Sequence, residues 1–288
     1  MIRVKIFTVG MVIATILMVV ALSAYAKKTA NIDSQLPTSL TAGETGIVAR
    51  VIDGDSLVLE NGLRVVLAGI QAPKPGRHDK KSGKTYAPWP LADEARDALQ
   101  TLAQGKWVKL YYGGDKRDRY GRAVAQVYVL DKDGKSGTWL QHAVVGMGMA
   151  RVYSWSGYDQ DNAALYGAER TARSNKHGIW STVATDGFYD IRKPDPNPLA
   201  QYVDSVQVVE GIIIKTADVR GTIYLNFGAD YRTDFTIAIS KKSRRAFKKA
   251  TYDPLKLTGA RVRVRGYLEL YGGPIIWLND PERLEVLD

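Results

Sequence analysis

Two short aliphatic runs, broken by turn residues within 25 positions, constrain this chain most. Val48, Val51, Leu57, Val58 and Leu59 flank Asp53-Gly54-Asp55, and Asn61-Gly62 then leads into Val65, Val66 and Leu67. Asn-Gly readily adopts the positive φ angles of a two-residue hairpin turn, so residues 46–70 read as a twisted antiparallel sheet. The period changes at 91–104, where Ala95, Ala98, Leu99 and Leu102 share one face between Pro90 and Gly105, as an amphipathic helix requires. Residues 107–112 and 123–130 read as further strands. Two more helices follow, with stripes of Leu140, Ala143, Val144 and Met147, and of Leu165, Ala168 and Ala172, the second closing at His177-Gly178. Strands first and helices later give an α+β fold, mainly β.

Prolines at 194, 196 and 198 forbid a continuous helix or inner strand and mark a boundary. We divide the chain into 1–26, a signal peptide; 27–45, a flexible lead-in; 46–184, a first domain; 185–203, a linker; and 204–288, a second domain. The signal assignment rests on Arg3 and Lys5, the apolar run 6–22 and the small residues of Ala24-Tyr25-Ala26, with cleavage before Lys27. Export to the periplasm or outside the cell follows. The alternative is an uncleaved membrane anchor at 6–22, since roughly 18 apolar residues can cross a bilayer.

The second domain alternates: Ile223, Leu225 and Phe227 face one way, as do Phe235, Ile237 and Ile239, while Val262 and Val264 oppose Arg261, Arg263 and Arg265. Residues 268–278 fold back through Tyr271-Gly272-Gly273-Pro274, and residues 240–250 read as a short basic helix with Phe247 inward. Such a set suggests a small β-barrel of the oligonucleotide-binding (OB) type. The arginine stripe calls for cross-strand acids, for which Asp230, Asp234 and Glu269 are candidates.

The chain has no cysteine, which excludes disulfides, thiolate zinc sites and cysteine nucleophiles, and His78, His142 and His177 are too scattered for a zinc site. Its formal charge of +10 favours polyanionic partners without choosing among them.

Over residues 46–182 the sequence resembles the staphylococcal nuclease (thermonuclease) family. The resemblance rests on Val51-Ile52-Asp53-Gly54-Asp55-Ser56, Leu67-Ala68-Gly69-Ile70-Gln71-Ala72-Pro73, the helix at 95–102, Asp118-Arg119-Tyr120-Gly121-Arg122, Gly148-Met149-Ala150, and Ala168-Glu169 leading to Gly178-Ile179-Trp180. It implies a five-stranded OB barrel with three helices, followed here by the second, smaller OB-like barrel. It also implies calcium-dependent hydrolysis of DNA and RNA by two calcium carboxylates, a glutamate that activates water and two phosphate-binding arginines.

By that resemblance Asp55 stands at the first calcium carboxylate and Arg122 at the second arginine. Gln71 stands at the second carboxylate, Lys74 at the glutamate and Val66 at the first arginine. Gln71 offers a neutral carbonyl at best, and a protonated Lys74 can donate to phosphate but cannot take a proton from water. Arg64, two residues before Val66 on the same strand face, is a possible substitute. Losing a base costs about 10² to 10⁴ and losing a clamp about 10² to 10³ in rate. A degenerate nuclease is therefore expected, needing no small-molecule cofactor, with calcium at Asp55 only if activity persists.

Such a chain would bind nucleic acid or another polyanion. Candidate contacts are Arg119, the aromatics Tyr153 and Trp155, placed where the resemblance implies base stacking, and the basic cluster Lys241, Lys242, Arg244, Arg245, Lys248 and Lys249. The alternatives are a weak calcium-dependent endonuclease and a cell-envelope scaffold that binds protein.

Overall fold

The computed structural model describes residues 39–80, 83–154, 158, 162–248 and 250–287. The expected signal peptide or anchor, most of the lead-in, Trp155 and Lys249 lie outside the described residues. Among the described residues no helix is long and apolar enough to cross a membrane.

In chain order the first half comprises β1 (Thr41–Asp53), β2 (Ser56–Leu59), β3 (Arg64–Leu67), β4 (Ile70–Gln71), β5 (Arg77–His78), β6 (Thr85–Tyr86), α1 (Ala92–Ala103), β7 (Trp107–Tyr112), β8 (Ala123–Leu130), β9 (Ser136–Trp139), α2 (Leu140–Gly146), β10 (Arg151–Val152), α3 (Asn162–Ser174) and α4 (Thr182–Thr185). Its main sheet runs β3-β2-β1-β7-β8-β9, and β3 also pairs β8 in parallel. Strands β1, β2, β3, β8 and β7 therefore pair in a closed cycle. Aliphatic side chains from every strand of the cycle meet Ala95, Ala98 and Leu99 of α1 and Leu140 and Val144 of α2 in one core. The fold is α+β and mainly β, as the order of elements implied.

The second half comprises α5 (Pro196–Ala200), β11 (Ser205–Ile212), β12 (Lys215–Val219), β13 (Thr222–Asn226), β14 (Thr236–Ile239), α6 (Arg244–Phe247), β15 (Arg261–Tyr271), β16 (Gly273–Trp277) and β17 (Leu284–Leu287). Its strands follow the order β11-β15-β16-β14-β13-β12, with β17 beside β15. The parallel step β14–β16 corresponds to β3–β8 in the first sheet. A separate core forms around Phe235, Ile237, Val262, Val264 and Ile276. Residues 185–203 dock on both halves: Tyr189 packs with Ala172 and Ile179, while Leu199 enters the second core.

Three expectations need correction. Strand β1 begins at Thr41, within the expected lead-in, because Thr41, Ala42 and Thr45 pair with β7 and Glu44 binds Arg117 at 2.5 Å. The basic helix shrinks to the four residues of α6, preceded by a turn in which the Ser240 and Ser243 hydroxyls lie 2.8 Å apart. The arginine stripe is matched by acids other than Asp230, Asp234 and Glu269. Glu210 accepts from Arg261 and Arg263, and Glu285 lies 3.6 Å from Arg263 and 2.6 Å from Arg265. Strands β11 and β17 place Glu210 and Glu285 opposite Arg263 on either side.

Arg265 carries this stripe into the first half. It is fully buried, donating to Glu169 Oε2 at 2.9 Å, Glu169 Oε1 at 3.0 Å and the Val152 carbonyl at 2.8 Å. Its guanidinium also lies 4.6 Å from the centre of the Tyr166 ring. Burial alone would raise the Glu169 carboxyl, but Arg265 holds it below the ordinary carboxylate range. A two-pronged pair of this kind orients the halves, because a guanidinium taken from water must meet its acceptors in one geometry.

Candidate functional site

Strand β1 ends at Asp53 and β2 begins at Ser56, so Asp53-Gly54-Asp55-Ser56 is the tight turn between them. A side chain at Gly54 would meet the Cβ atoms of Ala72 and Ala95 at 2.7 Å each, so only glycine lets the turn pack beneath α1. The packing drives Asp55 inward to 4 % exposure. One of its oxygens accepts the Ala72 N–H at 2.8 Å, across the residues that follow β4. Asp53 accepts the Ser56 hydroxyl and the Asp55 N–H, as turn carboxylates do.

Lys74 completes the cluster, with Nζ 2.5 Å from Asp55 Oδ1 and 3.3 Å from Asp53 Oδ2. Burial works against the ammonium, but Asp55 and then Asp53 hold it above the ordinary lysine range. Burial pushes the Asp55 carboxyl up to about 6 against the pull of Lys74, with Asp53 adding repulsion. Asp53, also opposed by burial, is held low by Lys74 and its hydrogen bonds, so the buried Asp55 takes the first proton as pH falls. The local chemistry is an internal cation shared by two carboxylates.

Gln71 is engaged elsewhere. Strand β4 pairs it with Arg151 of β10, whose Nε and Nη2 donate to Gln71 Oε1 at 3.0 and 2.6 Å. Arg151 also reaches the Val206 carbonyl at 3.2 Å, and its burial pulls its pKa down to about 10. The carbonyl expected as a weak metal ligand is therefore committed to a buried guanidinium.

Val66 is buried between Ser56 of β2 and Val124 of β8. Arg64, at the exposed start of β3, lies at the same end of the parallel β3–β8 pair as Arg122, and it is in no ion pair among the described residues. Arg122 donates from Nε to Asp118 Oδ2 at 2.7 Å and takes a structural part in the β-turn. The neighbouring Tyr120 is 67 % exposed, with the Arg119 and Arg122 guanidiniums 4.8 and 5.4 Å from its ring centre. Arg64, Arg119, Tyr120 and Arg122 thus form a cationic surface with an aromatic centre.

Other expected contacts separate from this surface. Tyr153 is buried, with the Arg283 guanidinium 4.3 Å over its ring, so that ring is not offered to a base. Arg244 is held by Asp218 at 2.5 Å, whereas Lys241, Lys242, Arg245 and Lys248 are exposed in the second half. Among the described residues no three His, Cys, Asp or Glu side chains group closely enough to hold a metal ion.

The sequence reading missed the lysine bridge and the roles of Arg151, Glu169 and Arg265. Lys74, standing where the resemblance implies a glutamate, was the available signal for the first. Nothing local distinguishes Arg265 from its strand neighbours.

Comparison with known proteins places these residues in a family context. The family model described as staphylococcal nuclease homologue matches residues 64–182. An uncharacterized endonuclease of Escherichia coli O157:H7 is 33 % identical over 145 residues, covering 49 % of this chain and 80 % of the relative. Endonuclease YncB of Bacillus subtilis (strain 168) is 32 % identical over 134 residues, covering 46 % and 59 % respectively. The thermonuclease of Staphylococcus intermedius is 27 % identical over 184 residues, covering 61 % of this chain and 98 % of its own length.

Proposed function

Because this chain belongs to the staphylococcal nuclease family, we propose that it is an exported nucleic-acid-binding member whose hydrolytic centre is closed by its own lysine. One observation carries the reading: Lys74 Nζ sits between Asp55 and Asp53, at 2.5 and 3.3 Å. Calcium takes six to eight oxygen ligands and draws its affinity from carboxylate charge. The residues present do not fit it, since both carboxylates serve the ammonium and Gln71 serves Arg151. Lys74, which stands where the resemblance implies the glutamate, stays protonated and so cannot take a proton from water.

Binding falls to the cationic surface of Arg64, Arg119, Tyr120 and Arg122. Phosphates would meet the guanidiniums and an unpaired base the Tyr120 ring. The test uses purified protein and labelled single-stranded DNA, with anisotropy for binding and gel electrophoresis for cleavage. Affinity is expected to fall as salt rises, with no calcium-dependent cleavage. Degradation that needs calcium, stops with chelator and vanishes in Asp55→Ala refutes the reading.

The second reading, a weak calcium-dependent endonuclease, draws on the convergence of Asp53 and Asp55 on one point and on the relatives named as endonucleases. Cleavage in the same assay supports it.

A further inference from the structure

A cavity of about 610 Å³ opens on the second half, with no residue of the first half in its lining. Its floor is one face of β12, β13 and β14, where register places Ala217 beside Tyr224 and Asn226 beside Thr236. Its rim holds Tyr231, 67 % exposed, and Tyr271, 74 % exposed. Aromatic rings this open contribute little to the core and leave area for a ligand, with the Arg232 guanidinium 5.5 Å from the Tyr231 ring centre.

The rim is also built rather than loose. Gly272 has φ of 77°, and a Cβ at Gly273 would lie 2.3 Å from the Thr233 carbonyl oxygen. The β15–β16 turn is therefore pressed onto the β13–β14 loop, and this contact sets Tyr271 and Tyr231 around one opening.

Charge selects among flat ligands. Lys215 and Arg232 line the cavity and enter no ion pair among the described residues. Asp234, the acid in the lining, has one carboxylate oxygen occupied by the Asp230 N–H at 2.7 Å. The β12–β13 turn carries exposed Arg220, and a Cβ at Gly221 would lie 3.2 Å from the Lys241 stem, with exposed Lys242 following. Cations thus stand in the opening and at the far end of the same hairpin. A neutral oligosaccharide would use the rings but not these charges, and a duplex keeps its bases stacked internally.

We propose that this cavity binds single-stranded nucleic acid, with bases stacked on Tyr231 and Tyr271 and phosphates on Lys215 and Arg232. The proposal deepens the nucleic-acid reading above and rests on it, but uses none of the same residues.

The experiment titrates a fluorescein-labelled oligothymidylate into the full chain at low salt. Tyr231→Ala and Tyr271→Ala are each expected to weaken binding about tenfold, or about 1.4 kcal/mol. The Phe variants should retain affinity because the ring face persists. Lys215→Ala with Arg232→Ala should weaken binding and flatten its salt dependence. Circular dichroism confirms that these surface variants fold. Unchanged affinity in the tyrosine variants, with loss in Arg119→Ala, overturns the proposal and leaves the first-half reading standing. No binding by the wild-type chain overturns both. Equal competition by a neutral chito-oligosaccharide or by duplex DNA of the same length also overturns it.

Discussion

Lys74→Ala tests the internal-cation reading most directly. The substitution leaves Asp55, 4 % exposed, with the Ala72 N–H as its remaining partner, and leaves Asp53 close to it with like charge. Removing one member of a fully buried pair costs about 3–5 kcal/mol, because the other charge stays desolvated. The Lys74 side chain is 33 % exposed, so water can replace part of the ammonium and the expected loss is about 2–3 kcal/mol. At about 2–4 °C per kcal/mol for a chain of this size, Tm should fall by about 4–12 °C.

The variant should also gain what the wild type lacks. Two unneutralised carboxylates facing one point form a weak divalent-cation site, and calcium at about ten times its Kd would return about 1.4 kcal/mol. Thermal unfolding of both proteins in chelator and in millimolar calcium provides the assay. A rise of about 3–6 °C confined to Lys74→Ala is expected. Equal calcium stabilisation of the wild type would refute the argument, since the ammonium would then not be holding the place.

Arg265→Ala should cost about 3–5 kcal/mol by stranding Glu169, and limited proteolysis should then separate the halves; an unchanged Tm would sink the clamp. Asp55 titrates at about 6 when folded against 3.8 ordinarily, so the folded state binds the extra proton between these values and stability falls as pH rises through them. Relative to Asp55→Asn, the wild type should therefore lose up to about 3 kcal/mol between pH 4 and 7 in urea titrations; parallel pH curves would contradict the burial argument. Asp118→Asn frees the Arg122 guanidinium and should tighten oligonucleotide binding a few-fold in anisotropy, with unaltered affinity counting against that surface.

Much of the fold was legible because its signals are local. Asn61-Gly62, the stripe of Ala95, Ala98 and Leu99, and the alternation at Ile237 and Ile239 specify turn, helix and strand through backbone sterics and one-sided burial alone. The site was half legible. The residue types at Asp55, Gln71, Lys74 and Arg122 marked the positions to compare with the family pattern, but their partners lie 4 to 80 positions away, at Asp118 for Arg122, at Asp53 and Asp55 for Lys74, and at Arg151 for Gln71. Tyr153 shows the same limit: a free aromatic in sequence, it is covered by Arg283 from 130 positions downstream.

By itself the sequence determined the order of strands and helices, the absence of cysteine, and the presence of Gln71 and Lys74 where the family resemblance implies a carboxylate and a glutamate. Only the tertiary structure decided which charges neutralise one another. An ion pair depends on distance and desolvation, and these are set when Gly54 lets the turn sink beneath α1 and when β15 carries Arg265 to Glu169.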